Sequence, residues 1–250
     1  MRAIIIGAGR GRRLMPTTAD TPKCYAEVAG RRMLDWTLDA FRQNGVADVA
    51  FIGGYRIERV RADYPDLTFR HNADWESNNI LASLFHAEDL MGGPFLCSYS
   101  DILFTPEVAR RALADPADMA LVVDTHWRQR YMDRTEHPPD DAEKVQVEGG
   151  AVTRVSRDID PEQAHGEFIG VAKFSAAGAA RLREHYRRCR EAHAGKPFHQ
   201  ARVFEKAYLI QLFQDMVEAG ERFACVDTPG GYIEIDTQQD FDYARRHWTG

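Results

Sequence analysis

Three glycines stand at alternate positions in Gly7-Ala8-Gly9-Arg10-Gly11-Arg12-Arg13, and the stretch they open ends at Pro22-Lys23. Glycine at this spacing lets the backbone turn tightly and approach a ligand closely. N–H groups exposed in such a turn form a concave site for anions. Arg10, Arg12 and Arg13 add permanent charge and forked donors that suit phosphate oxygens, and Pro22 fixes the backbone just ahead of the Lys23 ammonium. These residue types suit the wrapping of a polyphosphate by a long loop that closes on a lysine. Two acids further along, Asp101 and Asp236, each follow an apolar run of strand character. A carboxylate just past the carboxyl end of a strand lies where open α/β sheets bind ligands, and it suits Mg2+ held against phosphate oxygens.

Other phosphate-binding patterns fit less well. A P-loop needs Gly-Lys-Ser/Thr after the turn, and none follows. A dinucleotide fingerprint needs glycine where Arg12 stands and an acid closing the second strand, but that strand runs into Gly53-Gly54-Tyr55.

The elements that must position these residues are readable from periodicity. Ala3–Ile6 is a short β-branched run, as expected of a strand buried on both faces. A hairpin follows at 26–32, then a helix over 33–44, a strand at 49–52, a helix over 57–64 and a strand at 67–70. Helical spacing covers 78–90, with Ser77 or Asn78 as its cap, and buried strands fall at 95–99 and 119–124. A hairpin turns at Gly149-Gly150, helices cover 175–194 and 201–219, strands fall at 223–226 and 232–235, and a helix over 238–248 ends the chain. Strand–helix alternation of this kind implies a Rossmann-like, doubly wound, mixed and mostly parallel sheet with helices on both faces, in one domain over 1–250. The charged and aromatic stretch from Thr125 to Pro139 opens a flap at about 125–170. The helix over 201–219, with Phe204, Tyr208 and Phe213, would pack on that flap or on a second subunit of a homodimer.

The pattern Gly7-Ala8-Gly9-x-Gly11-x-Arg13-x-x-Pro16-x-Thr18-x-x-x-Pro22-Lys23 resembles the signature of the nucleotidyltransferases that make activated sugars and activated alcohols. Ile6-Gly7-Ala8-Gly9 stands where that signature usually reads Leu-Ala-Ala-Gly. The resemblance implies attack of a phosphate or phosphonate on an NTP with release of pyrophosphate. It implies that Gly7, Ala8, Gly9, Gly11 and Arg13 hold the nucleotide, with Asn79 and Ser83 beside it, and that Asp101 and Asp236 hold Mg2+, with Glu234 as an alternative ligand. Lys23, Lys144 and Arg13 are then the catalytic cations. Gly166-Glu167-Phe168-Ile169-Gly170 matches a segment that borders the acceptor pocket in that family.

The overall pattern is similar to the short enzymes that use CTP to activate phosphocholine or 2-aminoethylphosphonate, because a chain this short has no room for the β-helix domain of many sugar-phosphate enzymes. Trp127, Tyr131 and Tyr232, with Trp75 and the acids Glu76, Glu167 and Glu234, suit a cage for an ammonium head. Arg128 and Arg134 suit an anionic acceptor such as a phosphonate. A sugar-1-phosphate transferase, a catalytically silent nucleotide-binding regulator and a dinucleotide oxidoreductase are the competing readings.

Composition agrees with a soluble enzyme of small molecules. A net charge of −6 disfavours nucleic-acid and anionic-membrane partners. No apolar run spans a bilayer, and the N-terminus reads as a strand and not a signal peptide, so a cytoplasmic location is expected. Cys24, Cys97, Cys189 and Cys225 show no metal-binding spacing and read as reduced structural thiols, with Cys24 open to activation by Lys23.

Overall fold

The computed structural model describes residues 1–132, 134–136 and 138–249. Its first strand, β1 (Arg2–Gly7), shows why the N-terminal run is apolar throughout. Ile4 and Ile6 enter one hydrophobic cluster and Ala3 and Ile5 another, so neither face of the strand meets water. After the glycine loop come the hairpin strands β2 (Glu27–Val28) and β3 (Arg31–Arg32), α1 (Met33–Arg42), β4 (Asp48–Gly53), α2 (Ile57–Asp63), β5 (Thr68–His71), α3 (Ile80–Phe85), β6 (Phe95–Tyr99), β7 (Ile102–Phe104) and α4 (Pro106–Ala114). The second half adds β8 (Met119–Asp124), α5 (Trp127–Tyr131), the hairpin β9 (Lys144–Glu148) and β10 (Ala151–Ser156), β11 (Gly166–Phe174), α6 (Ala176–His193), α7 (Leu209–Glu218), β12 (Ala224–Thr228), β13 (Tyr232–Glu234) and α8 (Gln238–His247).

Among the described residues, nine strands form one sheet in the order β5-β4-β1-β6-β11-β8-β12-β10-β9. β1 pairs in parallel with β4 and β6, β4 with β5, and β8 with β12. β11 runs against β6 and β8, and β10 against β9 and β12. The sheet is the mixed, doubly wound one expected, with its reversed strands confined to the half that carries the flap. Apolar residues of α1, α2 and α4 cover one face, and those of α3, α6 and α7 cover the other. A third cluster joins Phe241 and Ala244 of the last helix, and Trp248 just after it, to Leu14, Val28, Met33, Leu103 and Ile233, so α8 clamps the segment behind the glycine loop.

Two helices are shorter than their periodicity suggests. The helix expected over 78–90 ends at Phe85, is capped by Asn79 and not by Ser77 or Asn78, and gives way to a tight turn at Glu88–Leu90. The helix expected over 201–219 begins only at Leu209. The segment ahead of it holds a single 3-10 turn, Phe204–Lys206, and its carbonyls serve another element: the N–H of Asn79 donates to Glu205 O at 2.9 Å, and that of Leu81 to Ala207 O at 3.4 Å.

Candidate active site

The glycine loop leaves β1 and closes on Lys23, whose side chain lies over Gly11. Gly11 has φ +69°, and a Cβ built there would stand 2.9 Å from Cβ, Cγ and Cδ of Lys23. Glycine at this position therefore meets a left-handed backbone and close packing at once. The lysine's stem is buried against it, and its ammonium reaches two carboxylates. Nζ lies 2.9 Å from Asp101 Oδ2 and pairs with Asp236 Oδ1. Arg13 Nη2 holds the other oxygen of Asp236 at 2.7 Å. Burial works to lower the pKa of Lys23, but the charges of Asp101 and Asp236 more than reverse this and keep it above the ordinary lysine value.

Residues 101 and 236 are far apart in the chain, and a small antiparallel pair brings them together. β13 pairs with β7 in the register Glu234↔Ile102 and Tyr232↔Phe104, and the Ile235 N–H donates to Asp101 O at 2.9 Å. Immediately after Asp236, Thr237 caps α8, and the Asp240 carboxylate accepts from the N–H of both Asp236, at 3.0 Å, and Thr237, at 2.8 Å. This reciprocal capping box fixes the backbone that presents Asp236.

A cleft of two lobes meets at this centre. The first encloses about 360 Å³ and is lined by Gly7, Ala8, Gly9, Gly11, Arg12 and Arg13 of the glycine loop, by Lys23, and by Trp75, Asn78, Asn79, Ser83, Ser100, Asp101 and Asp236. It sits beyond the carboxyl ends of the adjacent parallel strands β1 and β6, where such sheets bind ligands. A Cβ on Gly9 would meet nothing within 4 Å, so the backbone there is open to a ligand. Asn79 and Ser83 line this lobe and also serve the fold. Asn79 Oδ1 accepts from the Ile80 N–H at 2.9 Å, and Ser83 Oγ takes a bond at 2.9 Å from Asn72, which also binds Asn78.

The second lobe, about 230 Å³, shares Arg13, Asn79, Ile80, Asp101 and Asp236 with the first. Its acidic lining residues are Asp101, Asp141, Glu143, Glu167, Glu234 and Asp236, and its basic ones are Arg13 and Arg157. Burial pushes the Glu143 carboxyl up to about 6, although Arg157 and the Tyr99 hydroxyl, 3.1 Å away, favour its charge. Burial and the neighbouring charges of Asp236, Glu167 and Asp101 hold Glu234 well above the usual carboxylate range. Arg157 spreads over the Tyr208 ring at 4.0 Å and closes the far side.

Of the six acceptor residues expected from the flap and its surroundings, Glu167 and Tyr232 line this lobe and the other four do not. Trp127 and Tyr131 are buried in a small cluster with Ala142. The Tyr131 hydroxyl donates to Glu167 Oε1 at 2.6 Å. Arg128 is exposed and bonds Pro161 O and Glu162. Arg134 is buried on Asp240, with Nε 2.7 Å from Oδ1, and also binds Glu234 O at 3.1 Å. Trp127, Tyr131 and Arg134 thus turn inward and support the lobe from behind, while Arg128 stays at the surface. Lys144 lines neither lobe. Its ammonium is directed at Pro139 O, 3.3 Å away, and Ala142 O, 3.4 Å away, so it ties down the turn that carries Asp141. Cys24 is buried and its thiol is pushed up to about 12 by that burial, so it is not the activated thiol that its neighbour suggested.

Sequence reasoning missed Arg130, Arg157, Glu143 and Tyr208. Arg130 pairs with both Asp124 and Glu167 and lies 4.5 Å over the Tyr232 ring, holding two lining residues at once. No local spacing signals such a residue, because its partners come from three other strands.

The geometry agrees with what comparison with known proteins finds. The family described as MobA-like NTP transferase domain matches residues 3–222. A CTP:phosphoglutamine cytidylyltransferase of Campylobacter jejuni is 25% identical over 97% of this chain and 98% of its own. A 2-aminoethylphosphonate cytidylyltransferase of Lancefieldella rimae is 30% identical over 42% of this chain and 44% of its own. The CTP:phosphocholine cytidylyltransferase of Streptococcus pneumoniae superposes with a TM-score of 0.75 at 18% identity, covering 99% of each chain, which speaks to the fold. Among the described residues no helix is long and apolar enough to cross a membrane. With a glycine loop, a lysine and two strand-end aspartates converging at the mouth of a doubly wound sheet, the chain belongs to the MobA-like NTP transferase domain family and is a nucleotidyltransferase.

Proposed function

We propose that the protein is a cytidylyltransferase that moves CMP from CTP to a small phosphate or phosphonate bearing a cationic head, and releases pyrophosphate. The observation that carries this reading is the acidic lining of the second lobe, where Asp141, Glu143, Glu167 and Glu234 stand beyond the carboxylates that Lys23 and Arg13 hold. A neutral sugar would ask for amide and hydroxyl groups, whereas here Asn79 is the one amide side chain among the described lining residues. An ammonium group would donate to these carboxyl groups and gain cation–π contact with Tyr99, Tyr208 or Tyr232. The relatives that act on phosphocholine, 2-aminoethylphosphonate and phosphoglutamine support the use of CTP and of acceptors of this size.

In this reading the glycine loop, Arg12 and Arg13 bind the triphosphate in the first lobe, and the acceptor lies in the second. An oxygen of the acceptor's phosphate or phosphonate, already anionic, attacks the α-phosphorus of CTP. The bond from that phosphorus to the bridging oxygen breaks, and pyrophosphate carries the electron pair away. No general base is needed, so the protein's contribution is positioning and charge stabilisation. Lys23 stands where the two lobes meet and stabilises charge on the reacting phosphates. Asp101 and Asp236 would hold Mg2+. They fit it chemically, because two carboxylates already converge on one cation there, the Lys23 ammonium. When bound, the ion would neutralise phosphate charge.

Pyrophosphate release in the presence of Mg2+ tests the proposal, with each of the four NTPs against phosphocholine, 2-aminoethylphosphonate, phosphoglutamine and sugar 1-phosphates. Release with CTP and one of the cationic acceptors is expected. Release confined to a sugar phosphate, or to another NTP, overturns it.

A further inference from the structure

Between α6 and α7 lies a second cluster of ligating side chains that nucleotidyl transfer does not use. His185 and Cys189 are four residues apart on α6 and so share one face. Asp215 projects from α7, and His199 comes from the loop between the two helices. His185 Nε2 lies 2.5 Å from Asp215 Oδ1, and Cys189 Sγ lies 3.3 Å from the same oxygen. The donor atoms of His185, Cys189 and Asp215 are all within 4.8 Å of one another. His199 Nε2 stands 3.3 Å from the other carboxylate oxygen. Two of the three are nearly shut off from solvent, with His185 5% and Cys189 7% exposed.

One imidazole, one thiol and one carboxylate converging in a partly dry site is a donor set for a borderline-soft divalent ion. We propose that His185, Cys189 and Asp215 bind zinc, with His199 holding the carboxylate through its second oxygen and water taking the fourth position. Metal-ligating carboxylates are commonly held in this way by an outer partner. The proton balance is defined. The thiol loses its proton to solvent, and the imidazole proton moves from Nε2 to Nδ1. Arg188 Nη2 now lies 3.0 Å from that Nδ1 and must turn away, which its side chain, 62% exposed, has room to do. Because binding releases the thiol proton, uptake should weaken as pH falls. Bound zinc would staple α6 to α7 and fix the loop between them. That loop leads into the turn whose Glu205 and Ala207 carbonyls take the N–H groups of Asn79 and Leu81, so the ion would brace the wall of the nucleotide lobe from outside.

The test is titration of the chelator-treated full chain with Co2+ and then Zn2+. Stoichiometric uptake with a thiolate-to-cobalt charge-transfer band is expected, displaced by Zn2+ and accompanied by a higher Tm. The band should vanish in Cys189→Ser and persist in Cys225→Ser. His199→Ala should weaken Zn2+ binding roughly 10- to 100-fold without abolishing it, and Arg188→Gln should tighten it. No charge-transfer band in the wild type, or a band that survives Cys189→Ser, overturns the site and leaves the cluster a hydrogen-bonded network. Unchanged affinity in Arg188→Gln overturns ligation through Nε2.

Discussion

Lys23 carries more of the architecture than a lone cation usually does. Its stem needs Gly11, its charge needs Asp101 and Asp236, and its ammonium sits where the lobes join. Gly11→Ala should therefore act on rate more than on stability. The left-handed backbone costs an alanine roughly 1–2 kcal/mol, and the added methyl displaces the lysine, so kcat should fall at least about tenfold. A variant with wild-type kcat in steady-state assays would show that the lysine's position is immaterial. Asp101→Asn and Asp236→Asn should each lower kcat about 10²-fold or more while circular dichroism stays native, and full activity in either removes that residue from the centre.

Glu143 makes a prediction about pH. Its pKa of about 6, against an ordinary 4.5, means that the fold favours its protonated form. The stability this contributes is fully present below pH 4.5 and is lost as pH rises through about 6. Glu143→Gln, a permanent mimic of the neutral form, should then be more stable than the wild type by up to about 2 kcal/mol at pH 8. The advantage should vanish near pH 4.5 in urea unfolding. An equal gain at both pH values contradicts this assignment.

At the scale of elements, the buried pair between Arg134 and Asp240 joins the flap to the first turn of α8, the turn that presents Asp236. Arg134→Met leaves Asp240 buried without that partner, though still accepting two backbone N–H bonds. A loss of about 3 kcal/mol in denaturant unfolding is expected, the low end for a broken buried pair. A change below about 0.5 kcal/mol, the range of an ordinary surface substitution, would mean that the flap and helix are not coupled. Sequence periodicity located most of these elements, because apolar runs such as 95–99 and 119–124 have one cheap solution, a strand covered on both faces. It failed where tertiary contacts override spacing. Residues 201–208 carry apolar side chains at helical intervals, and Phe204 and Ala207 are indeed buried, yet their backbone is drawn off to cap α3. The site divides in the same way. The convergence of the glycine loop, Lys23 and the two strand-end aspartates follows from local and topological signals and was legible. The inward turn of Arg134 and Tyr131 and the roles of Arg130 and Arg157 depend on partners distant in sequence and left no mark on neighbouring residues, and the turn of Lys144 onto the nearby carbonyls of Pro139 and Ala142 has no side-chain signature.

On the scale of the molecule, the sheet divides the labour. Its parallel half, with β1 and β6 side by side, carries the lobe proposed for the nucleotide, and the half with reversed strands carries the lobe proposed for the acceptor. The short β7–β13 pair lets both halves contribute one carboxylate to the same point. In the proposed reading the acceptor is then met by residues in and beside β11 and the β9–β10 hairpin, apart from the glycine loop.

The most direct measurement is kcat/KM for a matched pair of acceptors at saturating CTP and Mg2+: 2-aminoethylphosphonate and its neutral-tailed counterpart, propylphosphonate. The account predicts that the cationic acceptor is favoured by tenfold or more, about 1.4 kcal/mol of discrimination, and that Glu143→Gln narrows the gap. Equal values for the pair, or a preference for the neutral tail, would contradict it.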